Sequence, residues 1–199
     1  LKAPLLLRLF FPSVLWNKSR KSKIIYLTFD DGPVPDITPW VLDTLAQYNA
    51  KASFFCIGDN VKKHPGIYRD VLEAGHKTGN HTFHHLNGWK TDNETYYKDI
   101  EHCNDFVQSD LFRPPYGRMK LSQLRYLKTR YKLIMWDVVS RDYDRRLSPD
   151  YCLRSVIRNS REGSVIVFHD SIKAEKNLKI ALPGVLKYFS EKGYTFASL

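Results

Sequence analysis

At 199 residues and 43% hydrophobic content the chain is long enough for one well-packed core and short for two, so a single core is expected. The 31 basic and 21 acidic residues leave a net charge of +10, which favours anionic cell-wall or membrane surfaces; the charges are scattered without a long basic run, so nucleic acid is not an expected partner. Cys56, Cys103 and Cys152 lie far apart with no CxxC pair, which argues against a disulfide framework or a thiolate zinc site and for core thiols.

The opening LKAPLLLRLFFPSVLW holds a short apolar segment that Arg8 and Pro12 interrupt, and no small-residue cleavage site follows it. It resembles neither a membrane-spanning helix nor a secretory signal. Residues 1–23 are expected to form an N-terminal extension that packs on the domain or rests on a membrane surface, and a leucine at residue 1 suggests that a segment precedes it. The lack of a visible signal favours a cytoplasmic location, with cell-envelope association as the alternative. The densest basic patch, NKSRKSK at 17–23, reads as a solvated approach to the first strand, through which the chain can touch a membrane or cell wall.

Six β-rich runs follow: IIYLTF (24–29), ASFFCI (52–57), LFR (111–113), KLIMWDV (132–138), SVIVFH (164–169) and YTFASL (194–199), with HKTGN (76–80) as a weaker seventh. Between them Val41, Leu45 and Tyr48 repeat at helical spacing, as do Tyr96, Ile100, Cys103 and Val107. Thr38-Pro39 and Ser148-Pro149 read as N-caps followed by proline at the first helical position. Strands apolar on both faces and separated by helices imply a parallel sheet with right-handed crossovers. About seven strands are few for an eightfold barrel, so the expectation is an α/β fold, a distorted and shortened (β/α) barrel forming a single domain over 24–199.

That order gives the unusual residues a common address at the carboxyl ends of parallel strands, where such folds gather their active sites. Asp30 and Asp31 follow the first strand, His81 and His85 the third, Arg113 closes another, Asp137 and Asp142 follow KLIMW, and His169 ends SVIVFH. In NHTFHH, His81 and His85 stand four apart, so on one helical turn both imidazoles point the same way; His84 falls on another face. Adding a carboxylate from the first strand gives three ligands and leaves coordination positions for water and a substrate oxygen. The Asp30-Asp31 doublet then divides its labour: one carboxylate binds the cation, whose charge lets the other stay ionised beside it as a general base. Asp137 reads as a strand-end cap, Trp89 and Trp40 as packing residues and Trp136 as core.

TFDDGP, HTFHH, RPPYG, WDVVSRDY and VFHD, in this order and spacing, resemble the five motifs of the NodB-type polysaccharide deacetylases, carbohydrate esterase family 4, over residues 24 to 199. The resemblance implies that Asp30 is the general base and that Asp31, His81 and His85 hold a divalent metal, zinc first, with cobalt or another divalent ion as alternatives. Arg113 would orient Asp30, the Tyr116 backbone NH would complete an oxyanion site, and Asp142 would pair with His169, the general acid. The implied substrate is an N-acetylated sugar in a peptidoglycan-like or chitin-like glycan. Two departures touch the wall that receives the acetyl group: Tyr143 stands where the family has tryptophan, and Val167 where it has leucine. Competing expectations are a glycan-binding module without catalysis on the same fold, and an iron-dependent oxygenase built on the same two-histidine-one-carboxylate set.

Overall fold

The structure, a computed structural model, describes residues 5–199. After α1 (Leu5–Phe10) the chain alternates: β1 (Ile24–Asp30), α2 (Ile37–Ala46), β2 (Ala52–Cys56), α3 (Gly58–Lys63), α4 (Pro65–Glu73), β3 (Lys77–Asn80), α5 (Asn93–Asn104) and β4 (Leu111–Phe112). A 3-10 turn at Pro115–Gly117 leads into α6 (Leu121–Leu127), β5 (Lys132–Leu133), β6 (Val138–Val139), α7 (Pro149–Asn159), β7 (Val165–His169), α8 (Glu175–Glu191) and β8 (Thr195–Phe196). Among the described residues no helix is long and apolar enough to cross a membrane.

The strands form one parallel sheet in the order β5-β4-β3-β2-β1-β7-β6, with β8 pairing β1 near its start. This is the distorted barrel expected from the alternating pattern. It stays open between β5 and β6, and the segment before β1 lies along that seam: Leu15 bridges Ile134 in parallel and Asn17 bridges Ser164 in antiparallel fashion. Val14 and Trp16 bury their side chains in a cluster with Tyr96, Phe112 and Leu133. The central strands are apolar on both faces because both are covered. On the outer face Phe29 stacks on Phe54 at 4.9 Å and on Phe168 at 6.1 Å, beneath α2, α7 and α8. Inside the curl, Phe55, Leu111, Ile134, Val165 and Leu199 fill a smaller cluster. Burying one such side chain is worth about 1.5–3 kcal/mol. The three cysteines are buried free thiols.

Three local expectations are corrected. KLIMWDV is not one strand: β5 pairs β4, β6 pairs β7, and the carbonyls of Ile134 and Met135 between them accept from the Arg113 guanidinium at 3.3 and 3.0 Å. With those carbonyls turned toward a buried cation the ladder cannot continue. Asp137 therefore precedes β6 and does not end a strand beside Asp30 and His169. Its NH donates to Val165 at the start of β7, and its carboxylate is held by Arg8, by Arg20 at 2.7 Å and by Ser164 at 2.6 Å. Finally, α2 begins at Ile37, so Thr38 is not its cap; its hydroxyl instead donates to Asp170 at 2.6 Å. Ser148 does cap α7, accepting from the Tyr151 NH at 3.1 Å.

Candidate active site

Parallel register sets the strand ends level with one another. Asp30 at the end of β1 lies opposite His169 at the end of β7, Cys56 opposite Asn80, and Asn80 opposite Phe112, so the residues that follow β3 and β4 open onto the same rim. Asp30, Asp31, His81, His85, Arg113, Asp142 and His169, scattered over 140 positions of sequence, thereby share one end of the barrel.

Arg113 organises the centre. It is fully buried, its planar guanidinium lies 4.0 Å from the Phe55 centroid, and it donates to Asp30 at 2.5 Å, to Thr28 at 2.8 Å and to the two carbonyls already described. A buried charge is tolerated only when paired and hydrogen-bonded, and here one planar fork satisfies both conditions. The consequence is that one oxygen of Asp30 is fixed by Arg113, which sets the direction of the carboxylate.

Asp31 turns the other way because its backbone is left-handed, with φ of 82°. Such a conformation costs roughly 1–3 kcal/mol in a non-glycine residue and persists only where its surroundings impose it. Here the Asn60 side chain donates to the Asp31 carbonyl at 2.7 Å, and the Gly32 NH donates to Asp170 at 3.2 Å. The carboxylate comes within 3.2 Å of His85 Nε2 and 3.8 Å of His81 Nε2. Burial opposes its ionisation, but the His85 hydrogen bond and the surrounding histidine charges outweigh burial and hold it well below the usual carboxylate range.

The histidines reach this position without a helix. Residues 81–92 form a loop, and Thr82 and His85 take left-handed φ values of 63° and 57°, so the spacing of four does not act through a helical turn as the sequence suggested. Asp99 on α5 holds the loop, accepting from the NH groups of Phe83 and His84 at 2.9 and 3.0 Å and meeting the His84 ring. His84 thus braces the loop from outside. The Nδ1–H of His81 donates to the Arg113 carbonyl at 2.7 Å, which keeps the proton on Nδ1 and leaves Nε2 as a lone-pair donor on the side of Asp31. Burial pushes His81 down to about 4, so the ring is neutral at physiological pH.

One ligand atom each from Asp31, His81 and His85 lies within 4.8 Å of the others. A depressed carboxylate, a neutral imidazole with its tautomer fixed, and mixed nitrogen and oxygen donors are the ligand chemistry that zinc and related divalent ions take. The donor set fits such a cation.

On the other side, Asp142 is fully buried and accepts from the His169 backbone NH and from Nδ1, both at 2.8 Å. Burial works against a charged His169, yet the Asp142 charge and hydrogen bond, with the charges of Asp31 and Asp30, raise it to about 9. It is an imidazolium at neutral pH. The Tyr143 ring meets it edge-on at 4.9 Å, and burial raises the Tyr143 hydroxyl pKa. Val167 is only 1% exposed, held in register between Thr28 and Val139. Tyr116 lies across the site with a left-handed φ of 61°, its ring 4.7 Å from that of His85. Gly117 and Arg118 donate back to Pro114 and Pro115, whereas the Tyr116 NH has no acceptor among the described residues. Trp40 is half-buried against the main core, and Trp136, read as core from sequence, is half-buried above Gly117.

Sequence reasoning gave Asp170 no role. It is 1% exposed, and besides accepting from Gly32 and Thr38 it donates its NH to the Asp30 carbonyl at 3.2 Å. Burial raises its pKa to about 8, so at neutral pH it is largely protonated. A Cβ on Gly32 would come within 2.0 Å of its Oδ2. Its place directly after the strand-ending histidine in VFHD was the available signal.

Comparison with known proteins agrees with this geometry. The sequence profile of the polysaccharide deacetylase family matches residues 17–132. The chain is similar to a peptidoglycan-N-acetylglucosamine deacetylase of Bacillus cereus, 33% identical over 193 residues that cover 94% of this chain and 91% of that one. It is 30% identical to a chitooligosaccharide deacetylase of Rhizobium leguminosarum bv. trifolii, over 88% of this chain and 89% of that one. The crystal structure of the Bc1960 peptidoglycan N-acetylglucosamine deacetylase, in complex with an N-oxidanyl-benzamide, superposes with a TM-score of 0.89 at 30% identity, covering 99% of this chain and 95% of that one. Longer relatives exist: the chain spans 39% of a peptidoglycan deacetylase of Listeria monocytogenes.

Proposed function

This chain belongs to the polysaccharide deacetylase family, and on that premise we propose that it hydrolyses acetyl groups from N-acetylated sugars of a glycan, using a divalent cation held by Asp31, His81 and His85. The observation that carries the reading is the separation of roles within the Asp30-Asp31 doublet. One carboxylate is tied to Arg113 at 2.5 Å and the next is turned to two histidines. Bound by Asp31, His81 and His85, the cation, zinc first and cobalt as an alternative, would supply positive charge that polarises a carbonyl and makes water more acidic.

The chain's own residues supply the rest. Asp30, with one oxygen fixed by Arg113, presents the other to take a proton from the attacking water. The Tyr116 NH donates to the oxygen on which negative charge develops. An amine leaves only when protonated, and His169 is charged at neutral pH, with Nδ1 tied to Asp142 and Nε2 free to give its proton to the departing nitrogen. Base and acid stand at the ends of adjacent strands, so proton removal and proton delivery occur within one pocket. An iron-dependent oxygenase has no use for this paired acid and base, and a glycan-binding module has no use for a buried Arg113 that aims Asp30. Both alternatives are therefore disfavoured by the same observation.

The test is acetate release measured across N-acetylated chitooligosaccharides, peptidoglycan strands and O-acetylated glycans. Release from at least one N-acetylated member, lost in Asp30→Asn, is the expected result. Binding without release by fully metal-loaded protein across the whole panel would refute the reading.

A further inference from the structure

Trp89 is 60% exposed, yet it is not a loose surface side chain. Its indole NH donates to the Met119 carbonyl at 3.0 Å, and the Arg118 guanidinium sits 5.0 Å from its ring centroid. The loop beneath is equally fixed. Gln123, fully buried, donates to the Gly88 carbonyl at 3.0 Å, and a Cβ on Gly88 would come within 2.7 Å of the Arg118 carbonyl. Arg118 has no carboxylate partner among the described residues, although the aromatic ring beside it holds its side chain.

The position of this pair matters. Trp89 follows the metal-site residue His85 by four positions, and Arg118 follows Tyr116 by two, while Tyr116 packs on His85 at 4.7 Å and is itself 60% exposed. Four residues span at most about 14 Å even when fully extended, so the shelf adjoins the rim of the site. Exposed aromatic rings fixed by hydrogen bonds and packing lose little entropy on binding, which makes them suited to the flat apolar face of a sugar ring. An unpaired guanidinium fixed beside them selects a carboxylate, to which it can donate in bidentate fashion.

We propose that Trp89 and Arg118 form a sugar subsite next to the reaction pocket that takes a carboxylate-bearing residue of the glycan strand, Trp89 stacking on the ring and Arg118 binding the carboxylate. This rests on the deacetylase reading and narrows its substrate to acidic strands. A net charge of +10 favours the same partner.

The test is calorimetric titration of the zinc-loaded full chain carrying Asp30→Asn, which prevents turnover. The probes are a neutral N-acetylated β-1,4 hexosamine tetrasaccharide and the same backbone with a lactyl-ether carboxylate on alternate sugars. The acidic strand is expected to bind more tightly. Trp89→Ala should weaken both strands roughly tenfold, about the contribution of one well-placed aromatic contact, whereas Trp89→Phe keeps a stacking face and most of the affinity. Arg118→Gln should weaken the acidic strand roughly tenfold and the neutral one hardly at all. Equal weakening of both strands by Arg118→Gln, or unchanged binding by a folded Trp89→Ala protein, overturns the proposal. Acetate release by the protein with Asp30 intact is a separate readout: its failure would count against the deacetylase reading, while the binding data still decide the subsite.

Discussion

Asp30 and Asp31 are adjacent like charges, and their separation rests on backbone geometry as much as on partners. The left-handed Asp31 sends its side chain away from Arg113 and toward His81 and His85. Asp30→Asn is expected to keep the cation and lose turnover, since an amide cannot accept the water's proton. Asp31→Asn should lose the cation itself; metal content after dialysis, measured beside acetate release, separates the two, and equal metal loss in both would mean the roles are shared. If His169 is the general acid, as proposed, His169→Ala should lower amide hydrolysis about 10² to 10⁴-fold while sparing an activated aryl acetate, whose leaving oxygen hardly needs a proton. Asp142→Asn should move the alkaline limb of the rate profile down from about 9 toward the ordinary 6.5 of histidine. If amide and activated ester fall by the same factor, His169 positions substrate and the proton comes from another group. Tyr143 lies edge-on to that imidazole, so Tyr143→Trp should change the preference among acyl groups more than it changes metal affinity. The chemistry-bearing residue types were legible in the sequence because few other roles use an acidic doublet, HxxxH and a strand-ending histidine together. The contact between Thr38 and Asp170 was not, because it spans 132 positions and only the fold brings it about.

At the scale of elements, the long β1, β2 and β7 were readable because continuous apolar runs bounded by turns have few alternatives. The break between β5 and β6 inside KLIMWDV was not, since it falls where the Arg113 side chain, reaching across from the end of β4, takes the carbonyls of Ile134 and Met135. The same holds for the loop carrying the histidines, where a spacing of four suggested a helix and the Asp99 carboxylate imposes a different path. Arg113→Lys tests this coupling of element and site. An ammonium cannot serve Asp30, Thr28 and two carbonyls at once, and disrupting a buried ion pair typically costs about 3–5 kcal/mol. The urea midpoint should fall substantially and turnover should be lost with it; an unchanged midpoint would mean that water or rearranged backbone replaces the guanidinium. Ser148→Ala, removing the cap of α7 without touching a residue of the proposed site, should cost only about 1 kcal/mol and leave turnover intact.

For the molecule as a whole, a barrel open between β5 and β6 places every reactive group at one end and leaves the seam to the segment around Leu15. Composition and the alternating pattern announced the barrel; the seam is a pairing between residues 15 and 134, for which local sequence carries no signal. Buried titratable groups also shape stability in the metal-free protein. His81 and His76 are pushed by burial from 6.5 to about 4, so below 6.5 the unfolded chain binds protons the folded one refuses, and stability falls as pH drops toward 4. His169, raised to about 9, and Asp170, raised to about 8, have the opposite sign: the folded state holds protons that the unfolded chain releases, so stability also declines as pH rises from 6.5 toward 9. Asp170 alone opposes the histidines between 3.8 and 6.5, where two groups outweigh one, so the urea midpoint should peak near 6.5. Asp170→Asn should flatten the alkaline side; a midpoint that rises steadily to pH 9 would contradict these protonation states. The central claim, that Asp31, His81 and His85 hold the cation on which deacetylation depends, is tested most directly by acetate release from an N-acetylated oligosaccharide after extensive chelation and again after metal is added back. Release should vanish with the metal and return with zinc or cobalt, whereas fully demetallated protein that keeps its rate would contradict the account.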